Sequence, residues 1–149
     1  MPAKSPAEET MLAELRVLVA EDHPVNQMVI TRQLRKLEIK PEVASNGKEA
    51  LEKLDDEAFD LILMDCQMPV LDGLCATRTI RERELAGYYE GRPPVIIIAM
   101  TANAMEGDKE MCLEVGMDGY LSKPVSVSGI RDALESHVEL RREAVLSVL

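Results

Sequence analysis

The feature that most constrains this chain is an alternation. Five short apolar segments, at residues 16–20, 41–44, 61–64, 95–100 and 119–121, are separated by stretches with helical spacing. Strand-length runs joined through helices need crossover connections, and repeated βα units build a parallel sheet covered by helices on both faces. The first, third and fourth runs are nearly continuously apolar (Val17-Leu-Val-Ala20, Leu61-Ile-Leu-Met64, Val95-Ile-Ile-Ile-Ala-Met100), as expected of strands buried on both sides. The second is mixed and belongs nearer an edge. The expected fold class is α/β, a single doubly wound five-stranded parallel sheet.

Residues 25–37 offer Val25, Met28, Val29 and Leu34 as one helix face, and Asn46 or a neighbour caps a second helix carrying Ala50, Leu51 and Leu54. Asp72 caps a third that runs to about Leu85, with Gly87 placed for a left-handed C-cap. A fourth covers about 105–114 and stops at Gly116; the last starts after Pro124 with a Ser126 cap and passes Leu134 and Val138 to reach Leu140 or beyond. The Gly- and Pro-rich segment 85–94, with Tyr88 and Tyr89, reads as a packed surface loop. The expected boundaries are a tail or linker over 1–13, the domain over 14–142, and a tail or helix end over 143–149.

Composition narrows the function classes. With 27 Asp+Glu against 17 Lys+Arg the formal net charge is −10. Such a balance argues against direct nucleic-acid binding or an anionic membrane as partner, since both need clustered Lys and Arg. No apolar run approaches the roughly 18 residues that span a bilayer. The polar first ten residues contain no signal core, and Cys66, Cys75 and Cys112 are an odd count without C-x-x-C spacing. Reduced thiols in a cytoplasmic protein are expected, and a monomer or weak dimer.

In an open parallel sheet, ligands sit beyond the carboxyl ends of the strands. The residues there are Glu21-Asp22 after the first run, Asp65 after the third, Thr101 after the fourth and Ser122-Lys123-Pro124 after the fifth. Three carboxylates sharing one cleft repel one another and call for a cation. Mg²⁺ fits, being small, hard and content with one or two carboxylates, waters and a phosphoryl oxygen. Lys123 adds fixed positive charge and Thr101 a hydroxyl donor, a set suited to transient phosphorylation of a carboxylate.

The stretches Val17-Leu-Val-Ala-Glu-Asp-His-Pro-Val-Asn-Gln27, Leu61-Ile-Leu-Met-Asp-Cys-Gln-Met-Pro-Val-Leu-Asp-Gly73, Ile98-Ala-Met-Thr-Ala-Asn-Ala104 and Gly119-Tyr-Leu-Ser-Lys-Pro124 resemble the receiver domain of two-component response regulators. The wording is most similar to the receiver module of hybrid sensor histidine kinases, and the resemblance runs from about Leu15 to about Leu140. It implies the flavodoxin-like receiver fold, and a phosphorelay switch that turns over no external substrate. By that resemblance Asp65 accepts a phosphoryl group from the phosphohistidine of a histidine kinase or histidine phosphotransfer domain. Glu21, Asp22, Asp65 and the backbone carbonyl of Gln67 hold Mg²⁺, Lys123 contacts the phosphoryl group, Thr101 turns toward it, and Tyr120 follows Thr101. Pro124 is expected after a cis peptide bond. The amides of Gln67 and Asn103, two residues beyond Asp65 and Thr101, are expected to flank the route of hydrolytic water and to tune dephosphorylation.

His23 departs from the pattern, where Asn is the more usual residue; a solvated loop histidine, or a functional one that hydrogen-bonds metal-bound water or adds pH sensitivity, are its two readings. His137 is expected at the surface or in packing. A phosphatase of the haloacid dehalogenase type also uses an Asp nucleophile with Mg²⁺, but needs a second Asp where Gln67 stands. A dinucleotide or flavin module lacks its phosphate loop here, and a pseudo-receiver conflicts with the intact acidic, Thr and Lys set. A free-standing receiver and a piece of a hybrid kinase both remain compatible with the sequence, the linker-like first residues favouring the latter.

Overall fold

The computed structural model describes residues 14–68, 70–102 and 106–148. Along the chain these form β1 (Val17–Ala20), α1 (Pro24–Lys36), β2 (Glu42–Ala44), α2 (Gly47–Asp56), β3 (Leu61–Asp65), α3 (Gly73–Leu85), β4 (Ile96–Thr101), α4 (Glu106–Glu114), β5 (Gly119–Ser122) and α5 (Val127–Val148). The sheet is parallel throughout, in the order β2-β1-β3-β4-β5. The mixed second run is therefore an edge strand, and the three apolar runs are its centre. The order reverses between β1 and β3, and a crevice opens beyond the strand ends at such a reversal.

Side chains alternate across the sheet and make two cores. Leu18, Ala20, Ile62, Met64, Ile97 and Ala99 face α2, α3 and α4, where Ala50, Leu54, Ala76, Ile80 and Cys112 meet them. Val17, Val19, Leu61, Leu63, Ile98 and Met100 face α1 and α5, through Ile30, Leu34, Ile130 and Leu134. Full burial of each Leu or Ile stabilises by about 1.5–3 kcal/mol.

One sequence expectation is corrected here. On α1 the buried stripe is Ile30 and Leu34, continued by Leu37 just past the helix, while Val25, Met28 and Val29 are 57%, 53% and 41% exposed. At about 100° per residue those three fall opposite Ile30 and Leu34, so they share no face with the residues that reach the sheet. Strand limits move by one residue: β3 includes Asp65 and β4 includes Thr101. α5 continues to Val148, so residues 143–148 are the end of the last helix, one of the two readings of the sequence. In the loop before β4, Tyr89 is buried against α2 and α3 while Tyr88 stays exposed, their rings meeting edge to face.

The caps follow their sequence signals. Asn46 Oδ1 accepts from Glu49 N–H, and Asp72 Oδ1 accepts from Cys75 N–H. Gly87 and Gly116 take positive φ at helix ends, and Gly129 N–H donates to Ser126 Oγ. Two helix-starting glycines serve instead for close approach. Gly47 N–H donates to Leu71 O and Gly73 N–H to Cys66 O. A Cβ on Gly47 would overlap that Leu71 oxygen, and one on Gly73 would overlap the carbonyl oxygen of Asp65.

Candidate functional site

Beyond the carboxyl ends of β1, β3, β4 and β5 lies an open cleft of about 810 Å³ lined by Glu21, Asp22, Asp65, Thr101 and Lys123 among others. The five strand-end residues named from the sequence thus come together. Asp65 closes β3 and is 6% exposed; its Oδ1 accepts from the backbone N–H of Gln67 at 3.1 Å. From β5, Lys123 reaches across with Nζ 3.1 Å from Asp65 Oδ2 and 3.2 Å from Glu21 Oε2. The Lys123–Pro124 peptide is cis.

Glu21 is fully buried, a position the backbone enforces, because its N–H donates to Ala44 O and extends the β1–β2 pairing by one residue. Burial, reinforced by the hydrogen bond with Asp65 and opposed by Asn26, pushes its carboxyl up to about 7. For Lys123, burial works against the charged form, but Asp65 and Glu21 outweigh it and raise the ammonium's pKa. Asp22 is exposed at the mouth. One carboxylate oxygen from each of Glu21, Asp22 and Asp65 lies within 4.8 Å of the others. Hard oxygen donors crowded this closely, with one member resisting ionisation, are chemically matched to a small divalent cation such as Mg²⁺.

Thr101 closes β4, lines the cleft half-buried, and takes Lys123 N–H on its backbone oxygen. Gln67 is exposed on the rim. Tyr120 is not in the cleft: on β5 it pairs in register with Ala99, is 39% exposed, and carries the Lys109 ammonium 4.4 Å over its ring. Asn103 lies outside the described residues. His23 has a role that neither sequence reading gave it, since Nδ1 accepts from Val25 N–H and caps α1 at the cleft's edge. His137 is half-buried, with Nδ1 2.8 Å from Ala133 O and Nε2 3.1 Å from Asp118 O.

Two site residues went unassigned at the sequence level. Asn26 Nδ2 donates to Glu21 Oε1 at 2.8 Å, and Gln27 Nε2 donates to the Glu21 carbonyl at 2.6 Å. The signal was present, as two amides in the first turn of a helix that follows an acidic pair. Met111 and Cys112 of α4 also line the cleft. No strand-end argument points to them, because a helix crossing over the crevice brings them there.

Residues 17–135 match the family model of the response regulator receiver domain. Hybrid signal transduction histidine kinase K of Dictyostelium discoideum is 42% identical over 135 residues, which cover 90% of this chain and 11% of that protein. This chain therefore spans only a small part of that relative. Among solved structures, the receiver domain of sensor histidine kinase PA1611 from Pseudomonas aeruginosa PAO1, with a magnesium ion coordinated in its active site cleft, is 40% identical with a TM-score of 0.70, covering 82% of this chain and 95% of that one. A co-crystal structure from Saccharomyces cerevisiae, of the histidine phosphotransfer signaling protein Ypd1 and the receiver domain of its downstream response regulator Ssk1, matches with 36% identity and a TM-score of 0.72, covering 78% of this chain and 83% of that one. With the acidic cleft, the strand order and the match over most of its length in agreement, the chain belongs to the response regulator receiver domain family.

Proposed function

We propose that Asp65 is the phosphoacceptor, taking a phosphoryl group from a phosphohistidine on a histidine kinase or histidine phosphotransfer domain. The observation that carries this reading is a buried carboxylate with an ammonium 3.1 Å from one oxygen, two further carboxylates beside it, and an open cleft in front. In the transfer an Asp65 carboxylate oxygen forms the O–P bond as the N–P bond of the donor breaks, and the bonding electron pair returns to the imidazole nitrogen. Lys123 neutralises charge on the transferring group, and the Thr101 hydroxyl hydrogen-bonds a phosphoryl oxygen. Glu21, Asp22, Asp65 and the backbone carbonyl of Gln67 hold Mg²⁺, which when bound supplies further positive charge to the phosphoryl oxygens. Asn26 and Gln27 keep Glu21 in place.

The donor imidazole must enter through the mouth of the cleft, so the donor's body rests on its rim. The exposed apolar residues Val25, Met28 and Val29 of α1 suit a desolvated contact there. The Ssk1 receiver crystallised with Ypd1 supports a histidine phosphotransfer protein as the kind of partner. Phosphorylation biases a two-state equilibrium in which Thr101 and Tyr120 rearrange, and either a downstream partner reads the surface around β4, α4 and β5 or the phosphoryl group passes on to a histidine phosphotransfer protein. Gln67 and Asn103 set the lifetime of the phosphorylated state.

The much longer hybrid kinases among the relatives support a receiver module within a hybrid histidine kinase; in our reading it acts in the cytoplasm and turns over no external substrate. No helix among the described residues is long and apolar enough to cross a membrane. The test is phosphoryl uptake from acetyl phosphate, followed by intact mass with and without Mg²⁺. A Mg²⁺-dependent gain of one phosphoryl that vanishes in Asp65→Asn is expected; no gain under any condition, including with a phosphorylated histidine phosphotransfer protein, overturns the reading.

A further inference from the structure

Beside the phosphoacceptor lies a pair of sulfurs that phosphoryl chemistry does not use. Cys66 follows Asp65 directly, Cys112 projects from α4, and their Sγ atoms are 3.6 Å apart. Both side chains line the cleft, Cys66 half-buried and Cys112 3% exposed. A disulfide needs the two sulfurs at about 2.05 Å, so closure asks for an approach of roughly 1.5 Å. The backbone decides which partner gives way. Cys66 is fixed on both sides, its N–H donating to Met100 O and its carbonyl accepting from Gly73 N–H. The approach therefore falls to α4, which carries Met111 toward the same cleft.

We propose that Cys66 and Cys112 form an oxidant-responsive dithiol site, in which a hydroperoxide entering the cleft converts the pair to a disulfide that ties α4 to the end of β3 and slows phosphorylation of Asp65. The chemistry balances in two steps. The Cys66 sulfur attacks the peroxide, forming S–O as O–O breaks, and the displaced oxygen leaves as water or alcohol with the thiol's proton. The Cys112 sulfur then attacks the sulfenic sulfur of Cys66, forming S–S as S–O breaks, and the hydroxyl leaves as water with the second thiol's proton. The two thiols are oxidised by two electrons and the peroxide is reduced by two. Cys75, on α3, is the internal control.

The consequence for phosphorylation rests on the phosphoacceptor reading; the disulfide itself does not. The experiment treats the full chain with hydrogen peroxide, removes the oxidant with catalase, and measures intact mass, peptide linkage, acetyl phosphate uptake with Mg²⁺, and hydrogen exchange in α4. Expected are a loss of two hydrogen masses, a Cys66–Cys112 linked peptide, slower exchange in α4, and uptake slowed on the order of tenfold by displacement of groups at the cleft. Dithiothreitol reverses all four, and Cys112→Ala shows none of them while its reduced form takes up phosphoryl normally. If Cys66 and Cys112 both remain open to alkylation after unfolding, or only Cys75 is oxidised, the site is refuted. A linked peptide with unchanged exchange and unchanged uptake refutes its regulatory effect. Failure of the untreated chain to take up phosphoryl falls on the phosphoacceptor reading instead, and α4 exchange then decides whether the disulfide ties the helix.

Discussion

Lys123 Nζ stands 3.1 Å from Asp65 Oδ2, so the edge of the sheet at β5 and its centre at β3 are joined by one ion pair across the cleft. The same ammonium lies 3.2 Å from Glu21 Oε2 and is the positive charge between two buried carboxylates. Lys123→Ala leaves Asp65 and Glu21 facing each other and removes a donor aimed at the transferring group. Phosphoryl uptake from acetyl phosphate should fall roughly a hundredfold, the scale for loss of one preorganised electrostatic contact. A time course by intact mass, beside Lys123→Gln and Lys123→Arg, checks it; uptake at the wild-type rate in Lys123→Gln removes Lys123 from the chemistry.

Glu21 makes the metal-free protein sensitive to pH. Its folded-state value of about 7 lies above the ordinary 4.5, so between those limits the folded chain keeps a proton that the unfolded chain has released. Its contribution to stability is therefore fully present at low pH and is lost as pH rises through that window. Melting temperatures in chelator at pH 5 and pH 7.5 should fall for the wild type, and the fall should be smaller in Glu21→Gln. Equal slopes in the two proteins refute this account.

Gln67 presents an exposed amide on the rim, two residues past Asp65. An amide can hydrogen-bond an incoming water but cannot take its proton, so it sets geometry more than basicity. Gln67→Ala should change the decay rate of phosphorylated protein several-fold, on the order of 1 kcal/mol for one hydrogen bond. Decay followed by mass after removal of the donor measures it, and an unchanged rate eliminates the role.

Val70 holds φ at +70° while 77% exposed, an unfavourable region for a β-branched residue with no burial to compensate. Asn tolerates that backbone far better. Val70→Asn should stabilise by about 1 kcal/mol, or roughly 3 °C in melting temperature for a domain of this size. Calorimetry decides the matter, and a lower melting temperature would show that the Val70 side chain contributes more than its backbone costs.

The parts of the fold legible in the sequence were those with a period or a cap. Continuous apolar runs marked the central strands, the mixed run marked the edge, and Asn46, Asp72 and Gly87 marked helix ends. The site was legible for the same reason, since each of its five residues sits at a strand end. What escaped were properties of assembly. Val25, Met28 and Val29 are apolar and helically spaced, and only the docking of α1 beside α5 decides that Ile30 and Leu34 are the side turned inward. The contact of Cys66 with Cys112 joins residues 46 apart across two elements, and no local pattern encodes it.

The two glycine contacts at Gly47 and Gly73 have a consequence for how such a molecule can vary. Gly47 presses the start of α2 against the carbonyl of Leu71 and Gly73 presses the start of α3 against the carbonyl of Asp65, leaving no room for even a methyl group. The starts of α2 and α3 are thereby pinned to the chain that leaves β3. Partner choice must then be written elsewhere, on exposed positions such as Val25, Met28 and Val29, where a change of side chain disturbs no buried neighbour. One chemistry can in this way be retained while its wiring is redrawn.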